Sequence, residues 1–238
     1  MNTSIVIPLG VGSRWNDTEL RYCLRSVEKH LTGYGDVFII GEKPSWLRNV
    51  VHIPFDEGFN PQSYEKERNI YKKVMTACND GRVTDDFLFM NDDHFLLQDY
   101  EAMKFPYYCQ GWLSEFMTVT DYKTTISNTI ELLWPLGHDC LYFDIHCPIV
   151  YNKARFAWCL SADWSKYFGY CIKTVYCNSV EGLKAIEYPD LKINEVYPAD
   201  KIHKFIAGRP WFSIGDQARQ GGLLKVLQEL YPNKSKYE

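Results

Sequence analysis

The sequence predicts an α/β fold with a mainly parallel central sheet, and three observations support it. The first is the order strand, helix, strand, strand, helix, strand within about the first 95 residues, which is typical of this class. The second is that the predicted strands are short apolar runs, as buried parallel strands are. The third is the composition: 16 % of the 238 residues are aromatic, which supplies a large core.

The individual elements follow from their patterns. Apolar runs predict strands at residues 4–9, 36–40, 50–54 and 86–90. A helix is predicted from Asn16, because Asn16 can cap it and Glu19 completes a capping box before an apolar stripe at helical spacing. A second helix is predicted from Ser63 and a short amphipathic one at 222–230, whereas residues 101–200 read as mixed strands and loops.

Composition excludes several classes of protein. The aromatic content and the net charge of only −4 exclude a disordered chain, and no apolar stretch is long enough to span a bilayer. Mild acidity argues against a DNA-wrapping surface. The eight cysteines show no C-x-x-C spacing and no signal peptide is visible, which predicts reduced thiols and a cytoplasmic protein. We expect one domain over 1–238, with 1–100 as its ligand-binding half.

Asn91, Asp92, Asp93 and His94 directly follow the strand predicted at 86–90. Ligands of open α/β sheets bind beyond the carboxyl ends of the strands. Because side chains alternate along extended chain, Asn91 and Asp93 are expected on one face and Asp92 on the other. Such an oxygen pair suits a hard divalent cation; the alternative is an ordinary polar turn.

Asp144 and His146 form the second candidate pair. Residues two apart in a strand share a face, and a carboxylate beside an imidazole suits general-base chemistry or metal binding. The alternative is a packed, hydrogen-bonded histidine in a loop that contains Pro148. Zinc held by His146, Cys147 and residues 138–140 fits no familiar spacing.

Basic residues supply two further candidates. Arg21 and Arg25 share one helix face and, with Arg14, would reach an anionic ligand above the first strand if they are more than a solvated surface. The segment 203–212 brings a histidine, two cations and a glycine together, a combination that suits a pyrophosphate clamp.

Four segments resemble the Stealth-type sugar-phosphate transferases. Residues 14–28 are similar to that family's "ELRYSLRSVEK" segment and residues 87–96 to its "FLYLNDDFFL" motif. The triplet at 146–148 resembles its histidine-proline motif, and residues 231–238 resemble its "FP-x-PS-x-FE" close. The opening strand differs from the one in that family.

The strand at 4–9 looks more like the first strand of a GT-A glycosyltransferase, which ends at the nucleotide. That resemblance implies a GT-A-like (Rossmann-like) fold, a nucleoside-diphosphate sugar as donor and Mn²⁺ or Mg²⁺ as cofactor. It makes 91–93 a variant of the Asp-x-Asp motif. The spacing of His203, Arg209, Pro210 and Trp211 resembles the "H-x-x-G-x-x-K-P-W" motif of some retaining members, although Gly208 is displaced.

These resemblances assign roles to individual residues. The expected metal ligands are Asp93, Asn91 and His203. The expected catalytic residues are His146, Asp144 and Asp92. The residues expected to hold the donor are Pro8, Leu9, Gly10, Arg14, Arg21, Asn91 and Arg209.

The sequence thus predicts a metal-dependent glycosyltransferase whose acceptor is a glycan or, less in keeping with the negative net charge, a modified nucleic acid. Residues 101–238 are expected to form the acceptor side. Two alternatives stay open: a Stealth-like sugar-1-phosphate transferase and a non-catalytic carbohydrate-binding module.

Overall fold

The computed structural model describes residues 2–11, 13–56, 66–117, 122–137, 140–166 and 168–238, which form an α/β fold. Its strands are β1 (Thr3–Leu9), β2 (Leu31–Thr32), β3 (Tyr34–Gly41), β4 (Val51–Ile53), β5 (Asp86–Phe89), β6 (His94–Leu96), β7 (Tyr100–Glu101), β8 (Tyr107–Cys109), β9 (Ile149–Asn152), β10 (Ala185–Glu187), β11 (Lys192–Ile193) and β12 (Trp211–Ile214). Its helices are α1 (Thr18–His30), α2 (Lys66–Asn79), α3 (Lys123–Leu133), α4 (Lys153–Cys159), α5 (Ile172–Ser179), α6 (Ala199–Ile206) and α7 (Leu223–Leu230).

The central sheet has the strand order β4-β3-β1-β5-β9. All neighbours are parallel except β9, which runs antiparallel to β5. Strand β1 is central, with Val6 opposite both Phe38 and Phe89. Because helices cover both faces, its strands are apolar throughout rather than alternating. The predicted α/β class with a mainly parallel sheet is confirmed.

Each face of the sheet carries its own hydrophobic cluster. Ile5 and Ile7 of β1 point to a cluster shared with α1, α6 and α7, whereas Val6 points to one shared with α2, α4 and α5. This is the alternation that strand geometry requires. Fully buried side chains of this kind contribute roughly 1.5–3 kcal/mol each, so the clusters hold the strand ends, and any site built on them, in fixed positions.

A second, three-stranded sheet in the order β11-β12-β6 lies beside the first. Strand β6 follows β5 after a four-residue connection and pairs antiparallel with β12, and β12 pairs in parallel with β11. Strand β11 is therefore only one strand away from β6, although about a hundred residues separate them in the sequence. Through this sheet the later part of the chain reaches the turn that follows β5.

The start of α1 differs from the sequence prediction. Asn16 and Asp17 both have a φ of 53°, in the left-handed region, and α1 begins at Thr18 without a side-chain cap. Glu19 does not reach back to Asn16; it is buried and accepts a hydrogen bond from Ser13 Oγ (2.8 Å). The same Oγ accepts the backbone N–H of Asp17 (2.9 Å). Ser13, one turn earlier, replaces the predicted capping box.

Other boundaries differ less or fall elsewhere. Ser63, the predicted start of the second helix, lies outside the described residues, and α2 is described from Lys66. The region 101–200, read from sequence as strands and loops, contributes β9 and the helices α3, α4 and α5. Within the described ranges no helix is long and apolar enough to cross a membrane.

Candidate active site

A cleft of about 600 Å³ lies beyond the carboxyl ends of β1 and β5. It continues into a smaller chamber of about 100 Å³ that shares with it Lys66, Ile70, Asn91, Asp93 and Lys192. We call the larger space the main chamber and the smaller one the inner chamber. The main chamber is lined by residues from both parts of the chain, among them Pro8, Gly10, Lys73, Asp92, Asn194, Asp216 and Arg219.

The turn at residues 91–93 forms the junction of the two chambers. Asn91 and Asp93 border both chambers, whereas Asp92 borders only the main one and a recess beside it, which is also lined by Leu9, Ser13 and Arg14. All three residues thus border the main chamber, and only Asn91 and Asp93 also border the inner one. The Oδ1 atom of Asp93 is buried and has no hydrogen-bond partner, which costs free energy unless something else supplies one.

His94 lies beneath this turn and is fully buried. Its Nδ1 accepts the backbone N–H of Asn91 (3.2 Å), so Nε2 carries the proton and faces Asp93 Oδ1 at 3.9 Å. Burial, together with the nearby charges of Lys173, His146 and Lys192, lowers the pKa of His94 well below its usual value. The ring is therefore neutral and supports the turn from inside the core.

Asp92 lies in a cluster of carboxyl groups. Burial and the charges of Asp93 and Glu19 raise the pKa of Asp92 to about 8. The nearest compensating charge is Arg219, whose guanidinium lies 3.3 Å from Glu19 and 3.1 Å from Asp216. Glu19 Oε2 and Arg219 Nε are buried without partners. The cluster therefore has unsatisfied atoms of both signs at the wall of the main chamber.

His146 borders the inner chamber and is held by two side chains. Asp190 Oδ1 accepts its backbone N–H (3.0 Å), and Oδ2 lies 2.6 Å from its Nδ1. Lys192 Nζ lies 2.8 Å from Nε2. Burial acts to raise the pKa of Asp190, but the hydrogen bonds from His146 outweigh it and the pKa is lowered, so Asp190 is ionised.

The structure does not pair Asp144 with His146, as the sequence analysis expected; the carboxylate beside His146 is Asp190. The Asp144 carboxylate accepts the backbone N–H groups of Lys173 (3.3 Å) and Thr174 (2.8 Å). These are among the unpaired donors at the start of α5, and a carboxylate is the group that satisfies them best. Asp144 still borders the inner chamber, where burial raises its pKa, but it caps a helix.

Glu67 also borders the inner chamber. Burial, followed by the charge of Asp144, raises the pKa of Glu67 to about 7, against the lowering effects of Lys66 and of the Tyr122 hydroxyl. The inner chamber thus holds a carboxyl group that titrates near neutrality.

The residues expected to hold the donor separate into two groups. Pro8 and Gly10 border the main chamber, and Leu9 and Arg14 border the recess that continues from it. Arg21 instead stacks on Trp46 at 3.8 Å and pairs with Glu238 at 3.4 Å, and Arg209 lies over the Phe205 ring at 4.1 Å. Neither Arg21 nor Arg209 lines the cleft, so the structure does not bring them to the site.

His203 is not brought to the expected metal site either. It lies on α6, is about 44 % exposed, and its Nε2 lies 2.7 Å from Glu229 Oε2 on α7. It does not line the chambers at Asn91 and Asp93. The segment 203–211 starts in α6 and continues as a turn. The apolar side of α6, which includes Ile202 and Ile206, packs into the core. The histidine therefore stays on the outer side of that helix.

The remaining donor set fits a cation only in part. Among the described residues, no group of three His, Cys, Asp or Glu side chains is arranged to hold a metal; His138 and Asp139 of the zinc alternative lie outside them. Asp93, with one unpartnered carboxylate oxygen, and Asn91 and Asp92 beside it can supply one to three oxygens. Mg²⁺ typically takes one or two carboxylates and completes its shell with water and substrate phosphates. The site fits a cation shared with a phosphate ligand.

Sequence reasoning missed Asp190, Lys192 and Arg219. Lys192 is the first residue of β11 and Asp190 precedes it by two residues, a spacing that resembles the Asp144–His146 pair and could have marked them. Arg219 lies in a short 3₁₀ helix after β12, and only the tertiary structure brings it to Glu19.

Comparison with solved structures identifies the fold as that of GT-A glycosyltransferases. The galactosyltransferase LgtC, crystallised with donor and acceptor sugar analogs, matches with a TM-score of 0.55 and 12 % identity, over 99 % of this chain and 98 % of its own. The bifunctional glycosyltransferase WbbM matches with a TM-score of 0.51 and 14 % identity. That match covers 98 % of this chain and 50 % of WbbM.

No protein-family model matches the chain, and no curated protein sequence is detectably similar to it. The resemblance to GT-A glycosyltransferases is therefore confirmed at the level of the fold, whereas the resemblance to the Stealth family is not shown.

Proposed function

We propose that the protein is a glycosyltransferase that takes a sugar from a nucleoside-diphosphate donor and transfers it to a hydroxyl of an acceptor, most simply a glycan. The supporting observation is one continuous cleft in a GT-A fold. It runs from Gly10 at the end of β1, past Asp93 at the end of β5, to His146. The two glycosyltransferase neighbours fit this assignment.

The donor diphosphate is assigned to the main chamber. Arg219 and Lys192 border it and supply cationic contacts, and Arg14 extends them into the recess. Asp93, with Asn91 and Asp92, is assigned to a Mg²⁺ or Mn²⁺ ion shared with the diphosphate. Such an ion neutralises charge that develops on the leaving nucleoside diphosphate. The guanidinium and ammonium groups act in the same sense.

The acceptor hydroxyl is assigned to the inner chamber, beside His146. Asp190 orients the imidazole by holding its Nδ1 and its backbone, which leaves Nε2 as the atom that takes the proton. The acceptor oxygen forms the new bond to the anomeric carbon as the bond to the diphosphate breaks. In this assignment residues 1–100 supply the end of β1 and the metal-binding turn, and residues 101–238 supply the groups that face the acceptor.

A thermal-shift screen of nucleotide sugars, nucleoside diphosphates and nucleoside monophosphates, each with and without Mg²⁺ or Mn²⁺, tests the proposal. A ligand present at a hundred times its Kd stabilises the folded state by about 2.7 kcal/mol. For a chain of this size that corresponds to a rise in Tm of about 5–10 °C. Asp93→Asn should remove the metal-dependent part of the shift, and His203→Ala, the matched control, should keep it.

The reaction products separate the alternatives. Release of a nucleoside diphosphate supports glycosyl transfer, whereas release of a nucleoside monophosphate indicates sugar-phosphate transfer. If calorimetry detects glycan binding but no nucleotide binds under any metal condition, the protein is a carbohydrate-binding module and the proposal fails.

A further inference from the structure

The imidazole of His146 is occupied at both nitrogens. An ammonium group has only protons to donate, so the Nε2 atom 2.8 Å from Lys192 Nζ accepts a hydrogen bond. Nδ1 then carries the ring proton and donates it to Asp190 at 2.6 Å. The lone pair that a base uses to take a proton is therefore covered by Lys192 in this structure.

Lys192 is placed to make a second set of contacts. It borders both chambers, and its side chain interacts electrostatically with Asp93 and Asp216 on the main-chamber side and with Asp190 on the other. Lys66 is the nearby like charge. A lysine is a compact charge on a flexible four-carbon chain, so a modest rotation would carry the ammonium from one chamber to the other.

The backbone beneath Lys192 favours motion of the side chain alone. Lys192 lies in β11, where it is paired with Ser213 of β12, and Asp190 is two residues earlier on the same extended segment. Asp190 makes two hydrogen bonds to His146, one to its backbone and one to its ring. If Lys192 leaves, Asp190 still holds the ring in place with Nε2 toward the inner chamber.

We propose that Lys192 is a positioning residue that couples donor binding to release of the base. This inference rests on the proposed function. Without donor, Lys192 covers Nε2 of His146; when a diphosphate enters the main chamber, the ammonium moves to its oxygens and exposes Nε2. The acceptor hydroxyl then passes its proton to Nε2 as its oxygen bonds to the anomeric carbon. The electron pair of the broken carbon–oxygen bond leaves with the diphosphate, next to Lys192.

Two consequences follow for the order of events. The acceptor hydroxyl meets a competent base only after the donor is bound, so kinetics should show donor binding first. Lys192 also gains an ionic contact with the leaving group in the same movement. The ammonium group of Lys192 thus lies beside the diphosphate when negative charge develops on it, so one lysine serves both purposes.

The test follows the Nε2 nitrogen of His146 by long-range ¹H–¹⁵N NMR in protein labelled at histidine, at mildly alkaline pH. His146→Gln identifies the signal. The probes are Mg²⁺ with UDP, with GDP and with inorganic pyrophosphate, which needs no base recognition. Because an accepted hydrogen bond moves a pyridine-type nitrogen upfield, we expect saturation of the wild type to move the signal downfield.

Two variants identify the group responsible. Lys192→Met should show the downfield signal before any ligand is added and little further change afterwards. Lys66→Met, which removes a lysine from the same cleft, should behave as the wild type does in both states. The wild-type titration does not depend on Lys192→Met, so the inference is testable even if that variant does not fold.

The outcomes separate this inference from the proposed function. Calorimetry on the same samples reports binding. If a probe binds and the His146 signal of the wild type does not move, or moves equally in Lys192→Met, the coupling is refuted and the glycosyltransferase proposal stands. If no probe binds under any metal condition, both are refuted.

Discussion

Replacing Asp190 by Asn tests whether this residue, rather than Asp144, holds the base. Both Asp190 oxygens are used: one accepts the backbone N–H of His146 at 3.0 Å and the other faces its Nδ1 at 2.6 Å. Asparagine has one acceptor oxygen, so its amide NH₂ must face one of these two donors. The variant therefore loses a charged hydrogen bond, with almost no change in side-chain volume. It either sets two N–H groups against each other or moves the ring proton of His146 to Nε2, which removes the lone pair that a base needs.

The expected loss can be estimated from the bonds involved. A hydrogen bond to a charged group contributes about 1.5–3 kcal/mol. Each 1.36 kcal/mol of lost transition-state stabilisation is a factor of ten in rate, so kcat should fall about 10- to 150-fold. The KM for the donor should change little, because Asp190 does not line the main chamber. The assay is release of the nucleoside diphosphate from the donor that the thermal-shift screen identifies.

Asp144→Ala is the matched control. It removes the carboxylate that caps α5, a loss of about 0.5–2 kcal/mol, which lowers Tm by about 1–8 °C in a domain of this size. We expect its kcat to fall less than that of Asp190→Asn. If Asp190→Asn retains more than a third of wild-type kcat while Asp144→Ala loses most of it, the assignment of Asp190 is wrong and the pairing expected from sequence describes the catalytic unit better.

Three further predictions follow from the site. Glu67→Gln should stabilise the free protein. The pKa of Glu67 in the folded state is about 7, above its ordinary value of 4.5, so the stability of the wild type falls as the pH rises from 4.5 to 7. The variant has no carboxyl group at this position and avoids that loss. A pKa shift of this size corresponds to about 3 kcal/mol of unfolding free energy. Because solvent in the cleft screens Glu67, we expect a gain of about 1–2 kcal/mol above pH 7, which urea unfolding at several pH values would measure. Arg219→Ala should weaken binding of the Mg²⁺ nucleoside diphosphate about 10- to 100-fold by calorimetry, and an unchanged Kd would exclude Arg219 from the anion site. His203→Ala should change neither metal-dependent binding nor stability by more than about 0.5 kcal/mol, since its partner Glu229 is on the surface; loss of metal binding would restore His203 as a ligand.

Local patterns in the sequence were enough to predict most strands in the first hundred residues. The apolar runs of β1 and β5 and the polar turn at 91–93 can each be recognised from a few consecutive residues. These features depend on neighbours in the chain, which is why they could be predicted.

The partners of His146 could not be predicted in this way. Asp144 is two residues away and Asp190 forty-four, so a reading of local spacing selects Asp144. The choice is decided instead by the start of α5, which presents N–H groups to Asp144, and by the segment that leads into β11, which brings Asp190 and Lys192 to His146. His203 illustrates the opposite case, because its matching spacing begins on a helix whose apolar side, and not its histidine, faces inward.

The charged groups around the cleft are arranged so that a metal–diphosphate ligand would compensate them. On one side Asp92 has its pKa raised to about 8 by burial and by Asp93 and Glu19, a sign that carboxylates outnumber their compensating cations there. On the other side Lys192 is buried enough for its own pKa to be lowered. A cation placed between the carboxylates would let Asp92 ionise, and a diphosphate beside Lys192 would stabilise its ammonium form, so each half of a metal–diphosphate ligand relieves a different cost. The bound cation and the bound diphosphate also attract each other, so binding of the two together should be more favourable than the sum of either alone. A Mg²⁺ titration with and without pyrophosphate, corrected for the association of Mg²⁺ with pyrophosphate in solution, measures that difference, and equal corrected affinities would show that the halves of the cleft are not coupled.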